Sequence, residues 1–188
     1  MIRQMQKTSG KKHTVLLGVC AGIAAYKACD VISCLRKDNI DVVVCMSKDA
    51  HHFITPLTLQ TLSANKVFEG MFARQQDYSP VHISLAEKAD LVLIVPATAD
   101  IIAKTAHGIC DELLTCTIAS TAAPVLFAPA MNSLMYKNKT LQANISTLKK
   151  LHYHFVGPVT GRLACGTTGI GHIADTDDIL RKAKTLLK

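Results

Sequence analysis

The stretch HTVLLGVCAGIAAYKACDVISCLRK, residues 13–37, contains the pattern that decides the fold. Residues 13–19 form a short apolar run, and the glycines at 18 and 22 bracket the turn that follows it. From residue 23 onward the apolar side chains recur at helical spacing. This stretch therefore predicts a buried strand, a tight turn and an amphipathic helix.

The same unit recurs along the chain. Apolar runs predict further strands at 41–46, 90–97, 124–130 and 154–157. Periodic segments predict helices at 56–63, 99–120 with a break near Gly108, 138–150 and 177–187, whereas 71–80 is polar and irregular. Strands that are apolar throughout, each followed by a helix, are typical of a parallel sheet covered on both faces. We therefore predict an α/β fold, a three-layer doubly wound parallel sheet of the flavodoxin or Rossmann-like kind.

Composition predicts one folded domain with a short tail. The chain has 188 residues, of which 49% are hydrophobic and 19% charged, and this balance excludes disorder for its body. We expect a flexible basic tail at 1–12 and a single domain at 13–188. No apolar stretch approaches the roughly 20 residues that cross a bilayer, and the N-terminus has no apolar signal-peptide core. A cytoplasmic protein without membrane contact is expected.

Charge and cysteine usage narrow the class of partner. The net charge is +7, but the lysines and arginines are scattered without a long basic stripe, which favours an anionic small molecule over nucleic acid. The seven cysteines include no C-x-x-C pair. Neither a disulfide framework nor a metal site is therefore expected.

Small and polar residues follow the predicted strands. Gly18 and Gly22 flank the first turn, which opens a helix, while Ser47, Thr98 and Asn132 follow the next three long strands. The carboxyl ends of parallel strands meet at one sheet edge, where such folds bind ligands, and a helix start suits a phosphate. No acidic residue closes the second strand, which argues against NAD and favours a mononucleotide. The glycine turn also fits a close-packed strand-helix connection without ligand.

Four segments resemble a known family. Residues 81–85, 96–115, 128–136 and 161–172 resemble the homo-oligomeric flavin-containing cysteine decarboxylases, and the resemblance extends over about residues 15–175. Its most specific element is the pattern P-x-M-N-x-x-M-[WY], matched by Pro129, Met131, Asn132, Met135 and Tyr136. The resemblance implies bound FMN and a homotrimer or homododecamer with the flavin at a subunit interface.

The resemblance also implies roles for individual residues. His82 would accept a proton during thiol oxidation, and Cys165, in a flexible Gly-rich flap at 161–171, would be the acid of the reduction step. Asn132 would bind the substrate carboxylate, with Ala164 and Gly166 also contacting substrate. The implied FMN-binding residues are Gly18, Cys20, Ala21, Gly22, Ser47, Phe53, Ala97, Thr98, Asp100 and Met131. Each of these residues also has an interpretation without chemistry. Asn132 fits the N-cap of a helix, and Met131 fits ordinary core packing. His82 could be a structural histidine, and Cys165 could be an incidental cysteine in a loop.

The chemistry implied is decarboxylation of 4′-phosphopantothenoylcysteine to 4′-phosphopantetheine in coenzyme A biosynthesis. A flavin oxidises the thiol to a thioaldehyde, which supplies the electron sink that a saturated carbon lacks, and later returns the hydride. Peptidyl-cysteine decarboxylases resemble the chain too, but lack the Ala164-Cys165-Gly166 element. A flavin prenyltransferase and a flavin-containing regulatory subunit are the remaining alternatives. A separate ligase is expected to supply the substrate.

Some features depart from the family or concern assembly. Cys20 and Ala21 stand where relatives often carry hydroxyl and glycine residues. Because a side-chain hydroxyl that could bind the phosphate is then missing, we expect Ser47 to matter more for phosphate binding. His172 and Ile173 follow the flap in place of a usual Arg and Met.

The helical residues around 101–114 are the expected subunit interface.

Overall fold

Six parallel strands form the central sheet across the parts of the chain that the computed structural model describes, residues 12–71 and 80–187. They are β1 (Thr14–Val19), β2 (Asp41–Met46), β3 (Val67–Phe68), β4 (Leu91–Ala97), β5 (Val125–Pro129) and β6 (His154–Phe155). Every residue of β4 and β5 is buried, as expected for central strands with helices on both faces. The predicted parallel sheet is confirmed.

Helices cover both faces of this sheet. They are α1 (Lys27–Lys37), α2 (Pro56–Ser63), α3 (Val81–Lys88), α4 (Ala99–Ala106), α5 (Leu113–Ser120), α6 (Ser133–Lys137), α7 (Lys139–Lys150) and α8 (Thr176–Leu186). Helices α1, α2 and α8 contribute to one apolar core, and α3, α4, α5 and α7 contribute to the other. Successive side chains of β1 alternate between the cores, with Val15 and Leu17 in the first and Leu16 in the second. The three-layer prediction is confirmed.

Strand order places a crevice at the centre of the sheet. The order is β3-β2-β1-β4-β5-β6, so the chain proceeds outward in opposite directions from β1 and β4. The connections that leave these two strands therefore cross to different faces. In such sheets the ligand site lies beyond the carboxyl ends of the strands at this reversal.

Several local predictions need correction. Ile23–Tyr26 forms a 3-10 turn before α1 instead of the first turn of one α-helix, and the short β3, α3 and α6 were not predicted. The flap is an antiparallel hairpin of β7 (Val159–Arg162) and β8 (Thr168–His172), so most of the predicted flexible segment is strand. Of the predicted tail only Lys12 is described, and 72–79 of the predicted irregular segment lie outside the described residues.

Among residues 12–71 and 80–187, no helix combines the length and the apolar character needed to span a bilayer.

Candidate active site

A cavity of about 670 Å³ opens beyond the carboxyl ends of β1, β4 and β5. Its walls come from the turn after β1, the β4–α4 connection, the β5–α6 connection and the β7–β8 hairpin. Its size lies in the usual range for a small-molecule or cofactor site. The predicted site residues on its surface are Ala21, Gly22, Thr98, Met131, Asn132, Ala164, Cys165 and Gly166.

The wall after β1 combines backbone amides with a supporting hydroxyl. The Ala21 amide donates a hydrogen bond to Ser47 Oγ at 3.2 Å, and the Ser47 side chain is buried behind the wall. Gly22 precedes the 3-10 turn in an extended conformation, with open space where a side chain would stand. The first amides of a helical segment have no acceptor within that segment. This wall can therefore hold an anionic group, and Ser47 orients the turn from behind.

The remaining predicted cofactor residues lie outside the cavity wall. Gly18 is a packing position, because a Cβ there would lie 2.6 Å from Ile94 Cδ1. Cys20, directly after β1, and Ala97, at the end of β4, are buried, and burial raises the pKa of the Cys20 thiol, which keeps it neutral. Phe53 is half exposed, while Asp100 is exposed and pairs with Lys104 at 3.2 Å. Direct cofactor contact by these five residues stays a prediction.

Asn132 occupies a junction between the β5–α6 connection and the hairpin. Its Oδ1 accepts a hydrogen bond from the Leu134 amide at 2.8 Å, so Asn132 is the N-cap of α6 as well as a cavity residue. Its Nδ2 donates to Cys165 Sγ at 3.6 Å. The carboxamide is thereby oriented with its oxygen toward the helix and its nitrogen toward the thiol. The compatible N-cap role expected from sequence is confirmed.

Cys165 lies in the turn of the hairpin and is exposed, as predicted. Its Sγ lies 3.2 Å from Thr167 Oγ1. Hydrogen bonds from the hydroxyl and backbone of Thr167, with a smaller contribution from Asn132, lower the pKa of the Cys165 thiol below its usual value. A thiol with a lowered pKa gives up its proton more readily than an ordinary cysteine does.

The hairpin is anchored to the β5–α6 connection. The Met131 amide donates to the Gly171 carbonyl at 3.0 Å, and Ser133 Oγ donates to the Ile170 carbonyl at 2.6 Å. Gly171 has φ +131°, and a Cβ there would lie 2.2 Å from the Met131 carbonyl oxygen. Only glycine fits this close approach. The backbone thus holds Cys165 beside Asn132.

His82 lies away from this cavity. It is near the start of α3 and half buried, and α3 packs against α5 on one face of the sheet. It is not among the residues that line the cavity. Its catalytic role stays a prediction, and within one chain the structure does not bring it to Asn132 and Cys165.

The expected interface segment is buried at its two ends and exposed between them. Ile101, Ile102, Leu113 and Leu114 are each at most 2% exposed and belong to the second core, so these four side chains are not available for an interface. Residues 107–111 are exposed, and their place in an interface stays a prediction. Exposed apolar side chains lie in this segment, at Ile109, and also at the cavity, namely Ile23, Tyr26 and Met135, with Leu134 beside them. The four buried side chains face the core because α4 and α5 pack on the sheet, and periodicity alone cannot distinguish a core face from an interface face.

Two further side chains of the cavity come from the hairpin; sequence reasoning gave Arg162 no role and considered His172 only for anchoring the substrate phosphate or the flap. Arg162 and His172 line the cavity from the two hairpin strands. The sequence does contain a signal for them. Two short segments, 159–162 and 168–172, flank a turn that contains glycine, and this arrangement is typical of a hairpin.

Comparison with known proteins agrees with this architecture. The sequence matches the Flavoprotein family over residues 2–188. The chain is 42% identical to the coenzyme A biosynthesis bifunctional protein CoaBC of Bacillus subtilis over 92% of its own length and 42% of that protein. It is also 42% identical to a probable phosphopantothenoylcysteine decarboxylase of Streptococcus mutans, over 92% of this chain and 98% of that protein. The chain thus spans less than half of the bifunctional relatives and nearly all of the Streptococcus protein.

Solved structures show the same fold. A mutant of PPC decarboxylase complexed with pantothenoylaminoethenethiol superposes with a TM-score of 0.82 at 29% identity, covering 93% of this chain and 98% of that one. The FMN-dependent cysteine decarboxylase SpaF gives a TM-score of 0.81 at 25% identity, over 93% of this chain and 97% of that one. With the family match spanning almost the entire sequence, this chain belongs to the Flavoprotein family.

Proposed function

We propose that this chain is an FMN-dependent decarboxylase that converts 4′-phosphopantothenoylcysteine to 4′-phosphopantetheine in coenzyme A biosynthesis. The observation that carries the proposal is the contact between Asn132 and Cys165 at a cavity of cofactor size. An amide that can hold a carboxylate stands next to a thiol that can deliver a proton. The names of the curated relatives and of the solved PPC decarboxylase support the same substrate.

The cavity residues fit FMN. One wall offers the first amides of the 3-10 turn after Gly22, which have no acceptor within that turn and suit a phosphate, and Ser47 braces the wall through the Ala21 amide. Met131, Pro96 and Ile173 supply apolar surface for a flat ring system. No Asp or Glu is among the described residues that line the cavity, which favours an anionic ligand. When bound, FMN would accept two electrons from the substrate thiol carbon and return them after CO₂ has left.

Asn132 orients the bond that breaks. Its Oδ1 is engaged by the Leu134 amide, which leaves the two Nδ2 hydrogens as the donors of this side chain. One points toward Cys165 Sγ, and the other is available for the carboxylate of a bound substrate. Fixing the carboxylate in this way aligns the Cα–carboxyl bond with the thiocarbonyl that receives its electrons.

Cys165 supplies the proton that completes the cycle. Loss of CO₂ leaves an enethiol, and the solved PPC decarboxylase complex contains a molecule of this kind, pantothenoylaminoethenethiol. Its reduction requires a proton on carbon, and the lowered pKa of the exposed Cys165 thiol suits it as donor. Because thiol oxidation and enethiol reduction cancel, the whole reaction has no net redox change.

We propose further that the site is completed by another copy of this chain. His82 is the predicted proton acceptor, yet it does not line the cavity of its own chain. Ile23 is 65% and Leu134 is 80% exposed beside that cavity, and such apolar surface favours association. A homotrimer or homododecamer with shared sites accounts for both facts. Within this proposal residues 13–188 are one domain in the cytoplasm, and a ligase supplies the substrate.

A peptidyl-cysteine decarboxylase is the second candidate, because SpaF shares the fold. Both enzymes would bind FMN and release CO₂, but the cysteine in the Ala164-Cys165-Gly166 turn is expected only where the enethiol is reduced. The first experiment therefore offers the purified protein 4′-phosphopantothenoylcysteine and a peptide with C-terminal cysteine in parallel. Preference for the peptide, or a protein that does not bind FMN, would overturn the proposal.

The role of His82 is tested by His82→Asn. We expect this variant to bind FMN normally, because the residues that fit FMN lie elsewhere, and to release CO₂ about 10²–10⁴-fold more slowly. His152→Asn is the matched control, since His152 is exposed with φ +65°, a conformation that asparagine tolerates. Normal CO₂ release by His82→Asn would exclude His82 from the chemistry.

A further inference from the structure

The turn of the hairpin places a hydroxyl beside the Cys165 thiol. Thr167 Oγ1 lies 3.2 Å from Cys165 Sγ, and Asn132 Nδ2 donates to the same sulfur at 3.6 Å. Asn132 lines the cavity, whereas Thr167 is not among the described residues that line it. Thr167 is therefore placed to act on the thiol and not on a ligand in the cavity.

The backbone of the turn holds this hydroxyl in place. The Leu163 amide donates to the Thr167 carbonyl at 2.8 Å, and the Gly166 amide donates to the Leu163 carbonyl at 2.9 Å. Gly166 has φ +87°, a conformation that favours glycine. Because Thr167 is β-branched, the rotation of its side chain is restricted. The turn thus keeps the Thr167 hydroxyl next to the Cys165 sulfur.

The two partners of the sulfur differ in the hydrogen bonds that they can make. The Asn132 Nδ2 group can only donate, whereas a hydroxyl can both donate and accept. While Cys165 is protonated, its S–H can donate to Thr167 Oγ1, and after the proton has left, the Thr167 hydroxyl can donate to the thiolate. Thr167 makes the largest contribution to the lowered pKa of the Cys165 thiol. The contact therefore favours the state in which Cys165 has given up its proton.

We infer that Thr167 is a positioning residue for the reduction step, because its hydroxyl stabilises the Cys165 thiolate that remains after proton transfer. This inference rests on the proposed function. In the step, the S–H bond of Cys165 breaks and a C–H bond forms at one carbon of the enethiol double bond, while the other carbon receives the hydride that reduced FMN supplies as it is reoxidised. The sulfur keeps the electron pair of its broken bond until water reprotonates it.

Other ionisable groups share the cavity with Cys165. They are Tyr26 from the turn after β1, and Arg162 and His172 from the hairpin strands, and no Asp, Glu or Lys is among the described lining residues. A cationic Arg162 or His172 also favours a thiolate. Both are unchanged when Thr167 is replaced, so a comparison of Thr167→Val with Thr167→Ser isolates the hydroxyl.

The first measurement follows the alkylation of Cys165 by iodoacetamide across pH in the FMN-loaded protein without substrate. Trypsin then releases residues 163–181 as one peptide whose only cysteine is Cys165, so mass spectrometry reports this thiol alone. We expect the midpoint of alkylation to move to higher pH in Thr167→Val, because the thiolate loses a donor, and to stay near that of wild type in Thr167→Ser. Thr168→Val is the matched control, since it removes a neighbouring exposed hydroxyl that does not line the cavity.

The second measurement is a single anaerobic turnover of 4′-phosphopantothenoylcysteine. In Thr167→Val we expect CO₂ release at the wild-type rate, because decarboxylation precedes the proton transfer from Cys165. Conversion of the enethiol to 4′-phosphopantetheine should be about 3–10-fold slower, the effect expected of one exposed hydrogen bond. Thr167→Ser and Thr168→Val should convert the enethiol at the wild-type rate.

Four results would overturn the inference. An unmoved alkylation midpoint in Thr167→Val would show that the hydroxyl does not act on the thiol, and an equal shift in Thr167→Ser would assign the effect to the shape of the turn. A moved midpoint with normal enethiol reduction would separate Thr167 from the reaction. Slower CO₂ release would assign Thr167 to substrate binding. Failure of the proposed function would look different, because wild-type protein would then release no CO₂ while the alkylation midpoints still separated Thr167→Val from Thr167→Ser.

Discussion

The carboxamide of Asn132 has a structural role at the start of α6 and a chemical role in the cavity. Its oxygen caps α6, which fixes the rotation of the amide, and its nitrogen then contacts Cys165. A serine or aspartate could serve as the cap, but neither would present an NH₂ group to both a thiol and a carboxylate. The cap thus positions the group that the proposed reaction needs.

At this residue scale, Cys165→Ser should separate decarboxylation from reduction. We expect the variant to release CO₂ but to accumulate the enethiol, because a hydroxyl is a far weaker acid than the Cys165 thiol with its lowered pKa. Mass spectrometry should show a product two hydrogen atoms lighter than 4′-phosphopantetheine. Cys110→Ser is the control, since Cys110 is exposed and lies outside the cavity wall. Normal phosphopantetheine from Cys165→Ser would remove this thiol from the mechanism.

At the scale of elements, the hairpin β7–β8 decides how the cavity is closed. Its attachment to the β5–α6 connection depends on close backbone approach at Gly171. We expect Gly171→Ala to lower the free energy of unfolding by about 1–3 kcal/mol, because φ +131° is strained for alanine, and to reduce turnover by displacing Cys165 from Asn132. Gly70→Ala is the control, since a Cβ there meets none of the described residues within 4 Å. Unchanged melting temperature and unchanged turnover in Gly171→Ala would contradict this anchoring.

The parallel strands and the hairpin differ in how far sequence could predict them. A run such as residues 90–97 is apolar throughout, and burial on both faces follows directly from that pattern. The glycines of the hairpin suggested flexibility, whereas at Gly171 the missing side chain permits contact with Met131. Asn132 and Cys165 were predicted because each stands in a specific motif. The hydrogen bond between His172 Nδ1 and the Arg162 carbonyl was not, because it joins residues of two strands that sequence reasoning did not predict.

At the scale of the whole molecule, the question is whether one chain contains a complete site. The cavity brings Asn132 and Cys165 together, and His82 lies on α3 outside it. A site shared between copies requires His82 of a neighbouring chain to approach this cavity. The exposed Ile23, Leu134 and Met135 beside the cavity are the apolar surface that such an assembly would cover.

Co-expression of two defective variants tests this sharing. His82→Asn removes the predicted base, and Asn132→Ser removes the carboxamide but keeps a hydroxyl cap for α6. In mixed oligomers about a quarter of shared sites would receive neither substitution, so CO₂ release should rise well above that of either variant alone. If the mixture is no more active than the sum of its parts, or if active wild-type protein is monomeric, each site lies within one chain.

The most direct test of the proposed function is the stoichiometry of one reaction. FMN-loaded wild-type protein is given carboxyl-labelled 4′-phosphopantothenoylcysteine under anaerobic conditions, without added oxidant or reductant. We predict multiple turnovers that release labelled CO₂ and form an equal amount of 4′-phosphopantetheine, because the reaction has no net redox change. Absence of labelled CO₂, or a product that stops at the enethiol, would contradict the proposed function.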